Sequence, residues 1–374
     1  MTENNRSILA CTPLTHHPNR VIRLFFFDNL RVFAMAMVIA HHVGQAYGPT
    51  GGWWPIQEPV RAEVMGAFFM VNRSFGMSLF FMIAGYFTVM SCDRVGPRAF
   101  LKNRLTRLGI PTLVFGLIVM ALQVFVIGAK DGKLGPVWPV NLLHMWFVEH
   151  LILYSLVYAL WRTIRPRRPD AVQKQANPPG YLPIVLVALG LAVVTGVVRI
   201  WFPVDYWLNL LGFFRVAFAD VPRDLCLFIV GMLAYRHQWA TRFPTRAGMV
   251  WLGVGLFLVA FWYAYDPWLN TALHVSDTAN DIMSFFWESF LCFGMCIGLT
   301  VLFRERANIQ TRLTKWLAEA QYATYIIHLF IVLAFQALLA GLVAPPLAKF
   351  ALATLASIPV AFLIGGLIRK PLRL

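Results

Sequence analysis

Two ionisable side chains in the segment DNLRVFAMAMVIAHHVG, residues 28–44, have the spacing needed to act together. Arg31 and His42 are eleven positions apart in a run that is otherwise mostly apolar. Eleven residues of α-helix make three turns plus about 20°, so both side chains share one face, roughly 16 Å apart along the axis. His41 points about 80° away from that line and is interpreted as a packing neighbour. The chemistry that this face offers is proton transfer, because a histidine with a pKa near 6.5 can act as a general base.

A second basic pair lies in the segment PRAFLKNRLTRLGIP, residues 97–111. Its first residue is a proline, which suits a helix start. Arg104 and Arg107 are three positions apart and share a face from which Lys102 turns away. Two guanidiniums held side by side form a binding site for a phosphate or a carboxylate. The alternative interpretation is an ordinary basic cluster at a cytoplasmic membrane surface.

The elements that must position these residues are predicted to be transmembrane helices. Of 374 residues, 59% are hydrophobic and 13% are charged, whereas about 25% of an ordinary soluble domain is charged. A bilayer core requires roughly 20 apolar residues per helix. Ten blocks fit, at about residues 24–46, 66–90, 108–128, 142–161, 182–200, 221–235, 249–265, 282–303, 321–342 and 346–368. The predicted fold class is all-α, a polytopic membrane helix bundle of about ten transmembrane helices. The sixth block is short, and the aromatic stretch 206–218 before it is interpreted as a re-entrant or interfacial piece.

The distribution of lysine and arginine predicts the topology. Every second loop is basic, as at Arg162 and Arg165 after the fourth block, and the loop after the seventh block is acidic. Both termini are therefore placed in the cytoplasm. Residues 1–22 form a tail and residues 23–370 a transmembrane domain, in a multi-pass protein of the inner (plasma) membrane. The formal charge of +15 is explained by this topology, so the bilayer is an expected partner and nucleic acid is not.

Further ionisable residues fall inside apolar blocks, where a site facing the bundle interior is the usual interpretation. Glu149 lies about two turns below the predicted outer surface and His42 about one turn below it. At similar depth the two could meet, with the Glu149 carboxylate orienting the imidazole, so Glu149 is predicted as a catalytic residue; whether the two helices are neighbours does not follow from the sequence. Arg73, Glu288 and His328 either line a site or fix helix packing by hydrogen bonds. No two of the five cysteines occupy an outer loop, so neither disulfides nor a metal site are expected.

At these residues the chain resembles the acyltransferase 3 family of integral membrane O-acyltransferases. The family opens with an Asp-x-Leu-Arg segment whose arginine is followed, after ten residues, by a histidine, and Asp28, Arg31 and His42 match it. An Arg-x-x-Arg pair at the start of the third span is matched by Arg104 and Arg107. Other blocks that resemble the family are FFMIAGYF at 80–87, Trp146–Phe147, GMLAYRHQW at 231–239 and YATYIIH at 322–328.

The resemblance runs from about residue 22 to residue 368, nearly the whole chain. The flanking segments YGPTGGWWP and FLKNRLTRLGIP look like those of a bacterial subgroup related to the glucan succinyltransferase branch. The doubled histidine leaves an alternative open, because His41 would match the family histidine if the register slipped by one residue.

The resemblance implies that an acyl group, acetyl or succinyl, moves from cytoplasmic acyl-CoA to a hydroxyl of a glycan, lipid or other acceptor outside. Arg104 and Arg107 would hold the coenzyme A phosphates, and the pantetheine would lie along the face that carries Arg31 and His42. His42 would take the hydroxyl proton, and Asp28 is a possible lining residue. Acyl-CoA is a co-substrate, and no permanently bound cofactor is implied. Direct transfer and a covalent acyl-histidine relay are both open.

A multi-span transporter or flippase of a polar or glycan-linked substrate is the main alternative function. It would also need embedded charges and about ten spans. Transporter folds tend to show repeated halves, and no second copy of the Arg31–His42 spacing occurs in the other half of the chain. A non-catalytic membrane scaffold is the third possibility, but it would gain nothing from the embedded charges.

Overall fold

The computed structural model describes residues 24–49, 54–131, 142–165, 175–265 and 272–369 of the chain. The long helices are α1 (Phe25–Gly44), α2 (Met65–Val95), α4 (Ile110–Asp131), α5 (Trp146–Ile164), α6 (Tyr181–Arg199), α7 (Val221–Arg236), α9 (Thr245–Ala264), α10 (Asp277–Arg306), α11 (Arg312–Leu339) and α12 (Pro346–Ile368). The short elements are α3 (Pro97–Arg104), α8 (Trp239–Arg242), a π-helical turn (Leu105–Gly109), a 3₁₀ turn (Leu143–Met145) and the strands β1 (Leu208–Leu210) and β2 (Phe214–Val216). The predicted all-α polytopic bundle is thus confirmed, with one small hairpin added.

Each of the ten predicted apolar blocks overlaps one long helix. Eight helices, with α3 and α4 taken as one, are long and apolar enough to cross a membrane. The two others differ for physical reasons, since α7 has 16 residues and α1 carries Asp28, Arg31 and two histidines. Both pack on neighbouring helices: α1 contacts α2, α10, α11 and α12, and α7 lies along α2 with its opposite face exposed at Leu225, Ile229 and Leu233. The cytoplasmic position of the termini stays a prediction.

The contact between α2 and α7 is close because two glycines face the opposite backbone. A Cβ atom on Gly85 would lie 2.1 Å from the carbonyl oxygen of Phe228, and one on Gly231 would lie 1.9 Å from that of Met82. Since the atoms approached belong to the backbone, no side-chain movement could relieve these clashes. Small residues in membrane helices permit such an approach. The short helix α7 is thereby held inside the bundle.

The aromatic stretch 206–218 contains the hairpin. Its strands pair antiparallel, with Leu208 opposite Val216. The hairpin packs on the first turn of α5, where the Trp207 ring centroid is 5.6 Å from that of Trp146 and the Phe214 centroid is 5.1 Å from that of His150. Short apolar runs do not distinguish strand from helix by periodicity, so the strand conformation was not predicted.

Candidate active site

Arg31 lies in the first half of α1, at the end predicted to face the cytoplasm. Its guanidinium forms an ion pair with Asp28, one turn earlier. Its Cζ atom lies 5.4 Å from the ring centroid of Phe87 in α2, a cation–π distance. Asp28 is buried in the first turn of α1, where the helix dipole favours a negative charge. The structure therefore gives Asp28 a contact with Arg31, whereas its predicted role as a lining residue stays a prediction.

The predicted anion-binding arginines lie where α3 passes into the π-helical turn. Arg104 donates an Nη2 hydrogen to Thr88 Oγ1 at 3.3 Å, and its Cζ lies 5.4 Å from the ring centroid of Phe100. Thr88 is next to Phe87, the α2 residue that Arg31 contacts, so Arg104 and Arg31 lie at the same level of α2. Neither Arg104 nor Arg107 has a carboxylate partner in the part of the chain that the structure describes. Positive groups gathered without a counter-charge form a site for an anion.

The π-helical turn, Leu105–Gly109, gives this site a geometry that the sequence did not predict. The carbonyl of Leu108 accepts hydrogen bonds from the hydroxyls of Thr112, at 2.7 Å, and Tyr322 in α11, at 3.3 Å. Because Arg107 lies in this turn, its side chain is not rotated from that of Arg104 by the angle of a regular α-helix. Arg104 is half-buried and Arg107 is exposed. Such turns within α-helices are frequent at functional sites.

His42 lies near the other end of α1. Its Nδ1 atom is 2.8 Å from the carbonyl oxygen of Val38 and 3.4 Å from Nε2 of His328 in α11. The two imidazole centroids are 5.0 Å apart at an interplanar angle of 63°. His328, predicted as a possible lining residue, is fully buried and directly contacts the predicted catalytic histidine.

The contact extends to a third histidine through Tyr325. His328 Nδ1 is 2.6 Å from the carbonyl oxygen of Tyr325, and His144 Nε2 is 2.8 Å from the same oxygen. The Tyr325 hydroxyl in turn donates to the backbone carbonyl of His144. His144 is 6% exposed, and its Nδ1 atom is buried without a hydrogen-bond partner. We call His42, His328, Tyr325 and His144 the histidine chain.

Trp54 and Gln336 pack against the His42 end of the histidine chain. The Trp54 ring centroid lies 5.9 Å from that of His42, and its Nε1 donates to Gln336 Oε1 at 2.8 Å. The Gln336 amide nitrogen donates to the carbonyls of His42, at 3.2 Å, and Val43, at 2.9 Å. Gln336 thus bonds two backbone carbonyls in the last turn of α1 and holds the Trp54 indole next to the His42 imidazole.

His41 has a different environment from His42. Its ring lies against Phe68 and Phe69 of α2, with centroids 6.4 Å and 5.2 Å away, and its Nε2 is 3.1 Å from Nε2 of Gln45. It has no contact with His328 or His144 in the described residues. These contacts are those expected of a packing neighbour.

Glu149 is not among the hydrogen-bond partners that the structure gives His42. Its Oε2 atom accepts the backbone N–H of Arg215 in β2 at 3.0 Å, and its Oε1 atom is buried without a partner. The side-chain partner of the His42 imidazole is His328 instead. The hairpin thus holds Glu149 through its backbone, and a catalytic role for this carboxylate stays a prediction.

Arg73 and Glu288 belong to a separate buried cluster. Arg199 donates to both carboxylate oxygens of Glu288, at 3.2 and 2.6 Å. Arg223 donates to Glu288 at 3.2 Å and to Asp220 at 3.0 Å, and Arg73 donates to the other oxygen of Asp220 at 3.1 Å. We call the whole set the ion-pair network; its members are Arg73, Arg199, Asp205, Asp220, Arg223, Asp224 and Glu288. It joins α2, α6, α7 and α10, and Arg73 is engaged there.

The sequence analysis missed several residues of both clusters. His144 was overlooked because it lies at the edge of an apolar block, and Gln336 because it carries no charge. A lone amide inside an apolar block is nevertheless a signal, since a buried polar group needs a partner. Arg199, Asp220 and Arg223 lie at or next to the ends of the predicted blocks 182–200 and 221–235 and were not singled out. No group of three or more side chains arranged to hold a metal ion occurs in the described ranges.

The sequence is similar to that of known acyltransferase domains and of glucan biosynthesis proteins. Residues 24–366 match a family model described as an acyltransferase domain. The Glucans biosynthesis protein C of Salmonella gallinarum is 23% identical over 327 residues, which cover 82% of this chain and 81% of the relative. The protein of the same name from Salmonella schwarzengrund is 23% identical over 333 residues with the same coverage. No solved structure matches the chain.

Proposed function

The chain belongs to the acyltransferase 3 family, and on that premise we propose that it transfers an acetyl or succinyl group from cytoplasmic acyl-CoA to an acceptor hydroxyl at the outer side of the inner membrane. The observation that supports this best is the arrangement at the two ends of α1. At one end Arg31 and Arg104 contact the adjacent α2 residues Phe87 and Thr88, and Arg104 and Arg107 lack carboxylate partners among the described residues; at the other, His42 belongs to the histidine chain. An anion site near one end of a helix and a base near its other end suit a long phosphorylated thioester.

Acyl-CoA is the proposed donor because its phosphates suit the arginines near one end of α1 and its thioester suits the histidine near the other end. The guanidiniums of Arg104 and Arg107 bind its phosphates, since planar guanidiniums form paired hydrogen bonds with phosphate oxygens. Arg31, oriented by Asp28, contacts the donor further inside the bundle. The extended pantetheine then lies along α1, and the thioester reaches the depth of His42.

His42 is the proposed general base. A carbonyl oxygen accepts but never donates, so the Nδ1 atom that faces the Val38 carbonyl carries the hydrogen and Nε2 carries the lone pair. Nε2 takes the proton of the acceptor hydroxyl as its oxygen attacks the thioester carbonyl. The C–S bond breaks, and the proton passes from Nε2 to the departing thiolate. If Nε2 attacks the thioester first, the C–S bond breaks and the thiolate leaves a cationic acyl-histidine. The hydroxyl oxygen then takes the acyl group, the bond from Nε2 to the acyl carbon breaks, and the hydroxyl proton passes to the thiolate.

A glucan is the acceptor to test first, because the relatives carry the name of glucan biosynthesis proteins. Glu149, with one buried carboxylate oxygen unpartnered, is proposed to contact the acceptor side of the site. Arg73 is a weaker candidate as a lining residue, since Asp205 and Asp220 already occupy its guanidinium.

The test is release of free thiol from acetyl-CoA or succinyl-CoA by the purified chain in lipid nanodiscs, with and without soluble glucan. Mass analysis of the glucan reports the transferred group. We expect release that glucan accelerates, and a raised KM for acyl-CoA in Arg104→Ala and Arg107→Ala. Lys102→Ala is the matched control, since this exposed lysine lies on the same helix. No thiol release with either donor would contradict the proposal, and glucan transport without thiol release would favour the transporter.

A further inference from the structure

We propose that His328 is a positioning residue for His42, held in place by the Tyr325 carbonyl and His144. This inference rests on the proposed function, because it assigns a partner to the proposed general base. The partner of a catalytic histidine is commonly a carboxylate that fixes its tautomer and stabilises its positive charge. In the described part of the chain, no carboxylate contacts His42, and a second imidazole occupies that place.

The tautomer of His328 follows from its contact with a carbonyl. Its Nδ1 lies 2.6 Å from the Tyr325 oxygen and therefore donates. The neutral ring then carries its lone pair on Nε2, the atom that lies 3.4 Å from His42 Nδ1. His42 has the complementary arrangement, because its Nδ1 carries the hydrogen. The single Nδ1–H of His42 is therefore shared between the Val38 carbonyl at 2.8 Å and the lone pair of His328 Nε2 at 3.4 Å, without any change of protonation.

The length of this contact fits a positioning role. At 3.4 Å it is longer than an ordinary N–H···N hydrogen bond. Contacts between catalytic groups are often long in a ligand-free enzyme and shorten when the substrate binds. When His42 takes a proton at Nε2, its Nδ1–H becomes a charge-assisted donor and binds both of its acceptors, the Val38 carbonyl and His328 Nε2, more strongly. The contact therefore stabilises the charged state more than the resting state.

His144 holds the end of the histidine chain that is farthest from His42. Its Nε2 donates to the same Tyr325 oxygen at 2.8 Å, while the Tyr325 hydroxyl donates back to the His144 carbonyl. This reciprocal pair ties the segment before α5 to α11, next to His328. The rings of His144 and His328 are 4.6 Å apart at 75°, which blocks rotation of the His328 ring. A buried ring that cannot rotate keeps its lone pair directed at His42.

Two substitutions of His328 separate its two bonds. An asparagine amide can replace Nδ1 as the donor to Tyr325 but has no atom at the position of Nε2. A glutamine amide oxygen reaches that position and can accept from His42, but the donor to Tyr325 is lost. His150→Asn is the matched control, since His150 also donates Nδ1–H to a backbone carbonyl of its own helix, that of Trp146 at 2.7 Å, and lies outside the histidine chain.

The kinetic measurement is thiol release from the acyl-CoA that the wild type uses best, in nanodiscs, after each variant has been shown to be monodisperse. We expect His328→Asn to lower kcat by about 10- to 100-fold, the usual effect of removing an orienting partner, with an unchanged KM for acyl-CoA. His328→Gln should recover part of that loss. Equal losses in both variants would show a packing role only, and a raised KM with unchanged kcat would place His328 in donor binding. Either result overturns the inference.

A spectroscopic measurement is independent of activity. In protein labelled with ¹⁵N-histidine, the Nδ1–H signal of His42 is identified by its loss in His42→Ala. We expect that signal to shift in His328→Asn and to stay in place in His150→Asn. An unshifted signal would contradict the contact. If the wild type released no thiol at all, the proposed function would fail, while this signal would still decide whether His328 holds His42.

Discussion

The histidine chain and the ion-pair network are both buried polar clusters inside an apolar bundle, but they differ in how far their groups are satisfied. In the ion-pair network each charge faces an opposite charge, and Glu288 alone receives Arg199 and Arg223. The histidine chain consists of imidazoles bonded mainly to backbone carbonyls. It leaves His144 Nδ1 buried without a partner and His42 Nε2 with none among the described residues.

The difference indicates separate roles. A buried ion pair is costly to break, because removing one partner leaves the other charge without solvent or counter-charge. The ion-pair network therefore suits the joining of four helices. A neutral imidazole with an open lone pair can accept a proton without disturbing a counter-charge. We therefore expect variants in the histidine chain to lose rate, and variants in the ion-pair network to lose stability.

The largest effect is expected for His42→Ala, which removes the proposed base. Acyl transfer should fall by at least the roughly 10²–10⁴-fold typical of proton-transfer catalysis, while the fold survives. The measurement is thiol release per monodisperse molecule. His41→Ala is the control, since its ring packs on Phe68 and Phe69, its Nε2 lies against Gln45, and it has no contact with His328 or His144 among the described residues. An active His42→Ala beside an inactive His41→Ala would mean that the neighbouring histidine is the base.

Glu288→Gln is expected to act on stability. The substitution removes the negative charge that faces Arg199 and Arg223. Breaking a buried ion pair lowers the free energy of unfolding by about 3–5 kcal/mol. Denaturant unfolding in detergent micelles measures this, together with activity per folded molecule, which should stay close to that of the wild type. Glu305→Gln, which breaks the exposed pair with Arg304, should change stability little. Loss of rate without loss of stability in Glu288→Gln would remove the contrast between the two clusters.

Arg31→Lys tests the donor end of α1. A lysine keeps the positive charge but loses the planar guanidinium that pairs with Asp28 and lies over Phe87. One lost charge-assisted hydrogen bond of about 1.5–3 kcal/mol would raise the KM for acyl-CoA about 10- to 100-fold. Steady-state kinetics measure this, with the exposed Arg312→Lys as the control. An unchanged KM would show that charge alone suffices at this position.

Glu149→Gln is expected to have the smallest effect. The glutamine oxygen can still accept the Arg215 N–H, so the hairpin should keep its place on α5. Loss of one contact to the acceptor costs about 0.5–1.5 kcal/mol, which corresponds to tenfold or less in rate. Thiol release at varied glucan concentration measures it. A loss as large as that of His42→Ala would instead support the sequence-based prediction that this carboxylate orients the base.

Much of the fold could be predicted because helix formation and membrane insertion depend on local sequence. The ten apolar blocks became long helices, and the shared face of Arg31 and His42 follows from helical periodicity alone. The hairpin at Leu208–Val216 could not be predicted in this way, since a short aromatic run suits strand and helix alike. The π-helical turn at Arg107 could not be predicted either, because no residue type in this segment indicates a change from α-helical to π-helical hydrogen bonding.

The candidate site was predictable only where it lies on one helix or carries a family motif. Arg31, His42, Arg104 and Arg107 were found in this way. The partner of His42 was assigned to Glu149 from their similar depth, whereas the structure shows His328 in contact. Depth along the membrane normal follows from counting residues, but it does not tell which helices are neighbours.

The sequence by itself determined the all-α bundle, the likeness to membrane acyltransferases and the polar face of α1, because each depends on residue type and spacing within one segment. Only the tertiary structure decided that His328, 286 residues away in the chain, reaches His42, and that Arg73 is engaged in the ion-pair network. The physical reason lies in the membrane environment. Lipid-facing and neighbour-facing sides of a transmembrane helix are both apolar, so composition does not reveal which helices pack together.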